Sequence, residues 1–118
     1  MNAKNQLRTL ASLAALLVIS ACGGDEDTPE DVDCSGTIPT YADVTALQKC
    51  ATCHSSQKTG ADRRSAPPSV NFDTEAAANM HAQAAATEVN EGAMPPSGSG
   101  VTLTADEKQA LYKWAECR

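Results

Sequence analysis

Cys50-Ala51-Thr52-Cys53-His54 is the stretch on which the rest of the chain depends. Two thiols three residues apart, with a histidine directly after the second, form the attachment sequence for a c-type haem. Each thiol can add across one vinyl group of the macrocycle, and the adjacent imidazole can then reach the iron as an axial ligand. The motif therefore predicts a covalent haem on Cys50 and Cys53, with His54 as one ligand of its iron.

Two other kinds of site share this motif. A Cys-x-x-Cys pair can be a thiol–disulfide redox centre or half of a zinc site. A zinc site needs two further ligands, but the chain has no second Cys-x-x-Cys and no His-x-x-x-His pair. A thioredoxin-like redox site is expected within a βαβ pattern, which the sequence lacks. A lipoprotein without haem, using the pair as a disulfide or metal site, stays open as an alternative.

Residues 1–21 have the form of a bacterial secretory signal. Lys4 and Arg8 give the basic region, and Leu10–Ile19 is apolar apart from one serine, too short to span a bilayer comfortably. The sequence Ile-Ser-Ala-Cys ending at Cys22 resembles a lipobox, which implies cleavage before Cys22 and a lipid on its sulfur. Ordinary signal cleavage nearby is the alternative. Two or three acyl chains would anchor the protein stably.

The charge separates a tether from a domain. Residues 22–37 are expected to form a lipidated, acidic, flexible tether, and residues 38–118 a folded domain. The net charge is −6; loss of Lys4 and Arg8 makes it −8, and six acids in 22–33 leave only −2 on residues 34–118. The sequence of the domain therefore shows no basic patch that would suggest nucleic-acid binding and no strongly charged docking face.

Cysteine counting predicts one disulfide. Of five cysteines, Cys22 is assigned to lipid and two to haem, which leaves Cys34 and Cys117 at the two ends of the domain. An exported chain meets an oxidising environment, so we expect these two to be bonded. The bond would tie the termini together.

The patterns predict an all-α fold of about three helices. The first follows Thr40 and runs into Cys50, and a polar loop, residues 55–70, then wraps the haem and supplies a carbonyl acceptor for His54, near Pro67 or Pro68. The second helix spans Glu75 to about Asn90 and ends before Gly92. The last, Ala105–Glu116, begins with a capping box of Thr104 and Glu107. The residues expected to face the core are Tyr41, Val44, Leu47, Ala51, Ala77, Met80, Ala84, Val89, Ala110, Leu111 and Trp114, with Tyr112 more exposed.

Met94 is the candidate for the second iron ligand. It follows a helix stop and precedes Pro95 and Pro96, which hold its thioether in an irregular turn with little freedom to lose. His81 is the alternative, although a histidine in mid-helix is more often a solvated surface residue. The small number of aromatic and large aliphatic residues predicts a thin core, which a buried macrocycle would complete. Without haem the domain should be unfolded or molten.

Three features follow one another along the chain: Cys50-x-x-Cys53-His54 after a helix, Met94-Pro95-Pro96 about forty residues later, and a closing helix with Leu111 and Trp114. Together they make the chain similar to a small class I monohaem cytochrome c. The resemblance covers nearly all of residues 38–118. It implies terminal helices that cross beside a haem c with His54 and Met94 as axial ligands. Two departures stand out. Ala42 and Ala46 occupy positions where the family usually has a glycine and an aromatic residue, and the segment from His54 to Met94 is short, which should leave more of the haem edge exposed.

The resemblance implies one-electron transfer between redox partner proteins, whose identity the sequence does not give, and no enzymatic activity. The anchor at Cys22 would hold the carrier on a membrane, and Gly23 favours the outer membrane facing the periplasm, by similarity to known sorting signals. A haem-based sensor of small ligands or a peroxidase-like site is the alternative. It would require an open or displaceable distal position.

Overall fold

The computed structural model describes residue 29 and residues 31–118, and the structural statements below concern this part of the chain. The predicted signal peptide, Cys22, Gly23 and most of the predicted tether lie outside it. Four α-helices and no strands are present in the described residues: α1 (Thr45–Cys50), α2 (Glu75–Met80), α3 (Ala82–Asn90) and α4 (Ala105–Glu116). Short 3-10 helices span Tyr41–Asp43 and Gly60–Arg63. The all-α prediction is confirmed.

Local capping fixes where the helices begin. The Thr104 hydroxyl accepts a hydrogen bond from the Glu107 N–H at 3.2 Å, and the Glu107 carboxylate accepts one from the Thr104 N–H at 2.8 Å. This is the predicted capping box, and it satisfies two amide groups that a helix start leaves without partners. At α2, the Thr74 hydroxyl accepts a hydrogen bond from the Ala77 N–H at 3.2 Å, so Thr74 is the N-cap of this helix.

The single helix expected from Glu75 to Asn90 is interrupted at His81. His81 has φ −120° and ψ 14°, outside the helical region, and separates α2 from α3. The buried face also differs from the predicted one: Met80 is 75 % exposed and Ala84 is exposed. The buried residues of this segment are Ala78, Ala82, Ala85, Ala86 and Val89. In an alanine-rich segment every face is similarly apolar, so periodicity could not distinguish them.

Helix α4 packs on both α1 and α3. Leu111 and Trp114 are buried, as predicted, but Tyr112 is also buried, with only 6 % of its surface exposed. The expectation that Tyr112 is exposed was wrong because a helix that contacts two neighbours buries a wider stripe than one face.

The crossing of α1 and α4 combines a small buried side chain with a polar bridge. Ala46 has no exposed surface, whereas Ala42 is exposed. At the edge of the crossing the Lys49 ammonium lies 2.7 Å from the Glu107 carboxylate and 3.0 Å from the Thr102 carbonyl oxygen. The carboxylate that caps α4 therefore also joins α4 to α1.

Cys34 and Cys117 form a disulfide, with 5.4 Å between their Cα atoms. Val32, which lies two residues before Cys34 in the sequence, packs against the core. The folded unit therefore reaches at least to Val32, which lies before the boundary at residue 38 drawn from composition.

The core is thin. Its buried apolar residues are Val44, Ala46, Leu47, Phe72, Ala78, Ala82, Ala85, Ala86, Val89, Leu111, Tyr112, Trp114 and Ala115. Six of these thirteen are alanine, which contributes little apolar area. The protein side chains alone therefore provide a small hydrophobic driving force for folding.

Candidate haem site

The cysteine motif lies in the turn that ends α1. The Cys53 N–H and the His54 N–H both donate to the Cys50 carbonyl oxygen, at 3.1 and 2.9 Å. Residues three and four apart in such helical turns share a face. The turn therefore presents Cys50, Cys53 and His54 on one side.

Cys50 and Cys53 are unpaired and half-buried, although another pair in the same chain is bonded. Burial raises the pKa of the Cys50 thiol to about 11, so this thiol is protonated at neutral pH. A thiol–disulfide redox centre requires the opposite, a pKa below the ordinary cysteine value. The Cys50 thiol therefore lacks the lowered pKa of a thiol–disulfide redox centre. Nor do three or more His, Cys, Asp or Glu side chains converge as metal ligands anywhere in the described residues.

The His54 ring is held by a loop carbonyl and an aromatic ring. Its Nδ1 lies 3.2 Å from the Val70 carbonyl oxygen, and its edge faces Phe72 with the ring centroids 5.6 Å apart. The Phe72 N–H donates to the His54 carbonyl oxygen at 2.8 Å. With Nδ1–H donating to Val70, the lone pair is on Nε2, the tautomer that a histidine ligand of this orientation uses.

The His54 imidazole is neutral at neutral pH. Burial lowers its pKa, the hydrogen bond to Val70 opposes that shift, and the positive charge of Arg63 lowers the pKa further. Only the neutral form offers a lone pair to a metal.

The carbonyl acceptor predicted for His54 is present in the loop. It is the Val70 carbonyl rather than one next to Pro68. The Val70 N–H in turn donates to the Pro67 carbonyl oxygen at 3.1 Å.

Arg63 organises the loop, and sequence reasoning missed it. The side chain is only 5 % exposed, and its guanidinium donates to main-chain and side-chain oxygens from Ser55 to Asn71. A polar loop with two adjacent arginines gives no indication in the sequence that one of them is buried. The only signal for a buried one was its position between the motif and two prolines.

Met94 follows α3 in a fixed turn. Gly92 has φ 77°, a left-handed conformation that favours glycine, and the Ala93 and Met94 N–H groups both donate to the Glu88 carbonyl, at 2.9 and 3.0 Å. The Met94 side chain is half-buried against the core, as is that of Cys50. It also lines an open cavity of about 530 Å³ together with Pro95, Pro96, Val101, Leu103 and Lys108, among others. Cys50, Cys53 and His54 are not among the residues that line this cavity.

His81 contacts the same loop and the same aromatic ring as His54. Its Nε2 is 3.0 Å from the Ser69 carbonyl oxygen, one residue before the Val70 carbonyl that binds His54. Its ring also faces Phe72, with centroids 6.2 Å apart. Phe72 therefore contacts both histidines. Because its Nε2 already lies on the Ser69 carbonyl, His81 would have to give up this contact to offer that nitrogen to an iron.

An all-α fold with two unpaired thiols and a neutral, oriented imidazole at the end of its first helix defines a c-type cytochrome domain. Residues 41–114 match the family model described as cytochrome c oxidase, cbb3-type, subunit III, and the chain belongs to that family of c-type cytochrome domains. Membership implies a covalently bound haem c and haem-based electron transfer. No curated protein and no solved structure gives a significant match. No helix in the described part of the chain is long and apolar enough to cross a membrane.

The residues present fit this cofactor. Two unpaired thiols are the groups that form thioether bonds, and a neutral imidazole and a thioether are donors that suit a low-spin haem iron. A macrocycle would also add apolar surface to a core made largely of alanine.

Proposed function

We propose that this chain is a lipid-anchored electron carrier whose haem is bonded to Cys50 and Cys53, with His54 and Met94 as axial ligands. The observation that carries the proposal is the state of the motif: two unpaired thiols beside an imidazole whose Nδ1 is already bound to Val70. When bound, the haem supplies one-electron exchange between ferric and ferrous iron.

The chain's own residues have distinct tasks in this proposal. Cys50 and Cys53 hold the macrocycle in one orientation, which prevents loss of the cofactor. His54 offers Nε2 to the iron. Met94 offers a thioether, which favours the ferrous state and raises the reduction potential. Electron exchange with a partner then requires only close approach at the haem edge, in a small and transient interface.

The test is an absorption spectrum and an intact mass of the mature domain, made in a host with haem-attachment machinery. We expect a mass increase of one haem, sharp low-spin bands on reduction and a weak thioether-to-iron band in the ferric form. Met94→Ala should abolish that band, whereas His81→Ala should leave it unchanged. A wild-type ferric spectrum that is low-spin but lacks this band, and that becomes high-spin in His81→Ala alone, would assign the distal position to His81 instead.

Two outcomes would replace the proposal. A high-spin spectrum with covalent haem, together with ready binding of carbon monoxide or cyanide at neutral pH, would indicate a sensor or peroxidase-like site. A colourless protein of unmodified mass would remove the haem assignment.

The anchor is a separate part of the proposal. It is supported by the lipobox-like sequence ending at Cys22 and by the acidic residues that follow it. Full-length protein should sediment with membranes and incorporate labelled fatty acid, whereas Cys22→Ser should incorporate none and retain its haem. A Cys22→Ser protein that still incorporates the labelled fatty acid would contradict lipidation at this residue. Fractionation of inner and outer membranes would test the predicted placement.

A further inference from the structure

Arg63 is a buried cation that has no carboxylate partner among the described residues. Only 5 % of its surface is exposed, and the one salt bridge found there joins other residues. Oxygen atoms of its own loop surround the guanidinium instead. Nε donates to the Ala66 carbonyl, Nη1 to the Ser55 and Lys58 carbonyls and to Asn71 Oδ1, and Nη2 to the Pro67 and Val70 carbonyls.

The chain after Arg63 turns back in an unfavourable conformation. Arg64 and Ser65 have φ values of 49° and 69°, the left-handed region that residues other than glycine rarely adopt. This double turn brings the following carbonyls of Ala66 and Pro67 round to the guanidinium. Strained backbone of this kind persists only where surrounding contacts hold it, and it is concentrated at functional sites.

One of the oxygens bound by Arg63 is also the acceptor for His54. Arg63 Nη2 lies 3.0 Å from the Val70 carbonyl oxygen, and His54 Nδ1 lies 3.2 Å from the same atom. A carbonyl oxygen has two lone pairs and can accept both hydrogen bonds. The guanidinium is therefore one hydrogen-bonded atom away from the imidazole.

From this shared carbonyl we infer that Arg63 is a positioning residue that raises the reduction potential of the haem iron through Val70 and His54. The inference rests on the proposed function, since it needs His54 as an iron ligand. It concerns what sets the potential, not whether haem binds.

Arg63 should act on the reduction potential of the haem iron in two ways, and both raise it. A charged donor on the Val70 carbonyl withdraws electron density from it and weakens it as an acceptor for His54, so the imidazole donates less charge to ferric iron. A fixed buried positive charge beside the site also disfavours the more positive oxidation state. Both effects favour ferrous iron.

Binding of an external anion is a poorer explanation of Arg63. A guanidinium has five N–H donors, and the loop oxygens engage every one of its three nitrogens. An anionic ligand or a haem carboxylate would have to displace bonds that hold the loop. Arg64 is the matched comparison, because it is adjacent, has the same charge and is exposed, with its guanidinium on the Ser99 carbonyl.

The experiment measures the midpoint potential of the haem-loaded domain by spectroelectrochemistry in wild type, Arg63→Gln, Arg63→Lys and Arg64→Gln. We expect Arg63→Gln to shift the ferrous–ferric equilibrium at least tenfold towards ferric, a fall of about 59 mV for a one-electron couple. Arg63→Lys keeps the charge but loses the planar fork, so its potential should lie between Arg63→Gln and wild type. Arg64→Gln should stay at the wild-type value.

Arg63→Gln could fail to fold, so Asn71→Asp provides a second route. This change keeps the acceptor at 3.1 Å from Nη1 and places a negative charge against the guanidinium. It should lower the potential while Arg63 stays in place. The inference is overturned if the midpoint potential of Asn71→Asp equals that of Arg64→Gln while the His/Met absorption bands are intact. The same result for a folded Arg63→Gln would also overturn it. Arg63→Lys at the wild-type potential would overturn the part assigned to the Val70 carbonyl. Failure of the proposed function would instead be visible in the wild type, as missing haem or missing His/Met bands.

Discussion

Removing the Cys34–Cys117 disulfide should lower the free energy of unfolding of the haem-loaded domain by about 4.5 kcal/mol. The two cysteines are 83 positions apart, and in the chain-entropy model closing a loop of that length lowers the entropy of the unfolded chain by about 15 cal/mol/K. A domain of this size has a total stability of roughly 4–13 kcal/mol. The bond therefore contributes a large share of the stability of a domain with a thin core.

The experiment uses the double variant Cys34→Ser/Cys117→Ser, because a single change would leave one free thiol able to pair with Cys50 or Cys53 before haem attachment. Urea unfolding at 25 °C is followed by circular dichroism and by haem absorbance. The m-value should rise in the variant, because an unfolded chain without the cross-link exposes more surface. Gln109→Ala, at an exposed position on α4, is the control and should change stability by less than about 0.5 kcal/mol.

A double variant within about 1 kcal/mol of wild type, with an unchanged m-value, would refute the reasoning. It would mean that the unfolded state is already compact enough for the cross-link to restrict little.

Three further perturbations test the core and the electrostatics. Cys50→Ala/Cys53→Ala, which cannot attach haem, should show no cooperative thermal transition by circular dichroism because six of the thirteen buried apolar residues are alanine; a sharp transition would contradict this. Leu111→Ala, at a position with no exposed surface, should destabilise the haem-loaded domain by about 3 kcal/mol in urea unfolding, whereas Met80→Ala, 75 % exposed, should change it by less than about 0.5 kcal/mol. Equal effects would place Met80 back in the core. Hydrogen bonds from the lysine of α1 and from the cap of α4 lower the pKa of Glu107 from 4.5 to about 2. The stability that Glu107 contributes is therefore present above pH 4.5 and lost as the pH falls towards 2. Glu107→Gln should flatten this part of the profile of stability against pH, and a profile parallel to wild type would contradict the assignment.

The starts of the later helices could be predicted from sequence because they depend on neighbours in the chain. Thr104 and Glu107 form their capping box within four residues, and the predicted span Ala105–Glu116 is the observed one. Thr74 likewise caps the start of α2, because its hydroxyl accepts a hydrogen bond from the Ala77 N–H. The attachment motif is equally local, since its thiols and imidazole occupy one turn.

The interruption at His81 could not be read from sequence because distant contacts accompany it. The segment has no glycine or proline there, and its alanines favour a continuous helix. His81 instead places Nε2 on the Ser69 carbonyl and its ring against Phe72, both of which lie before α2. Burial of Arg63 was hidden for a similar reason. An arginine is almost never buried without partners, and here the partners are main-chain carbonyls, which carry no signature in the sequence.

The two sides of the proposed iron site are built unequally, and this predicts how they respond to change. On the His54 side, protein contacts alone fix the imidazole: its Nδ1 lies on the Val70 carbonyl, which Arg63 also binds, and its ring contacts Phe72. On the Met94 side the backbone is fixed by the Glu88 carbonyl, but the side chain lines an open cavity. Changes on the His54 side should therefore move the potential while ligation persists, because the protein holds that ligand in one position. Changes around Met94 should alter which group occupies the distal position while the haem stays bonded. A family of variants on both sides, measured for potential and for ligation in the same samples, would separate the two behaviours, and a ligand exchange caused by Arg63→Lys would show that the His54 side is not preorganised in this way.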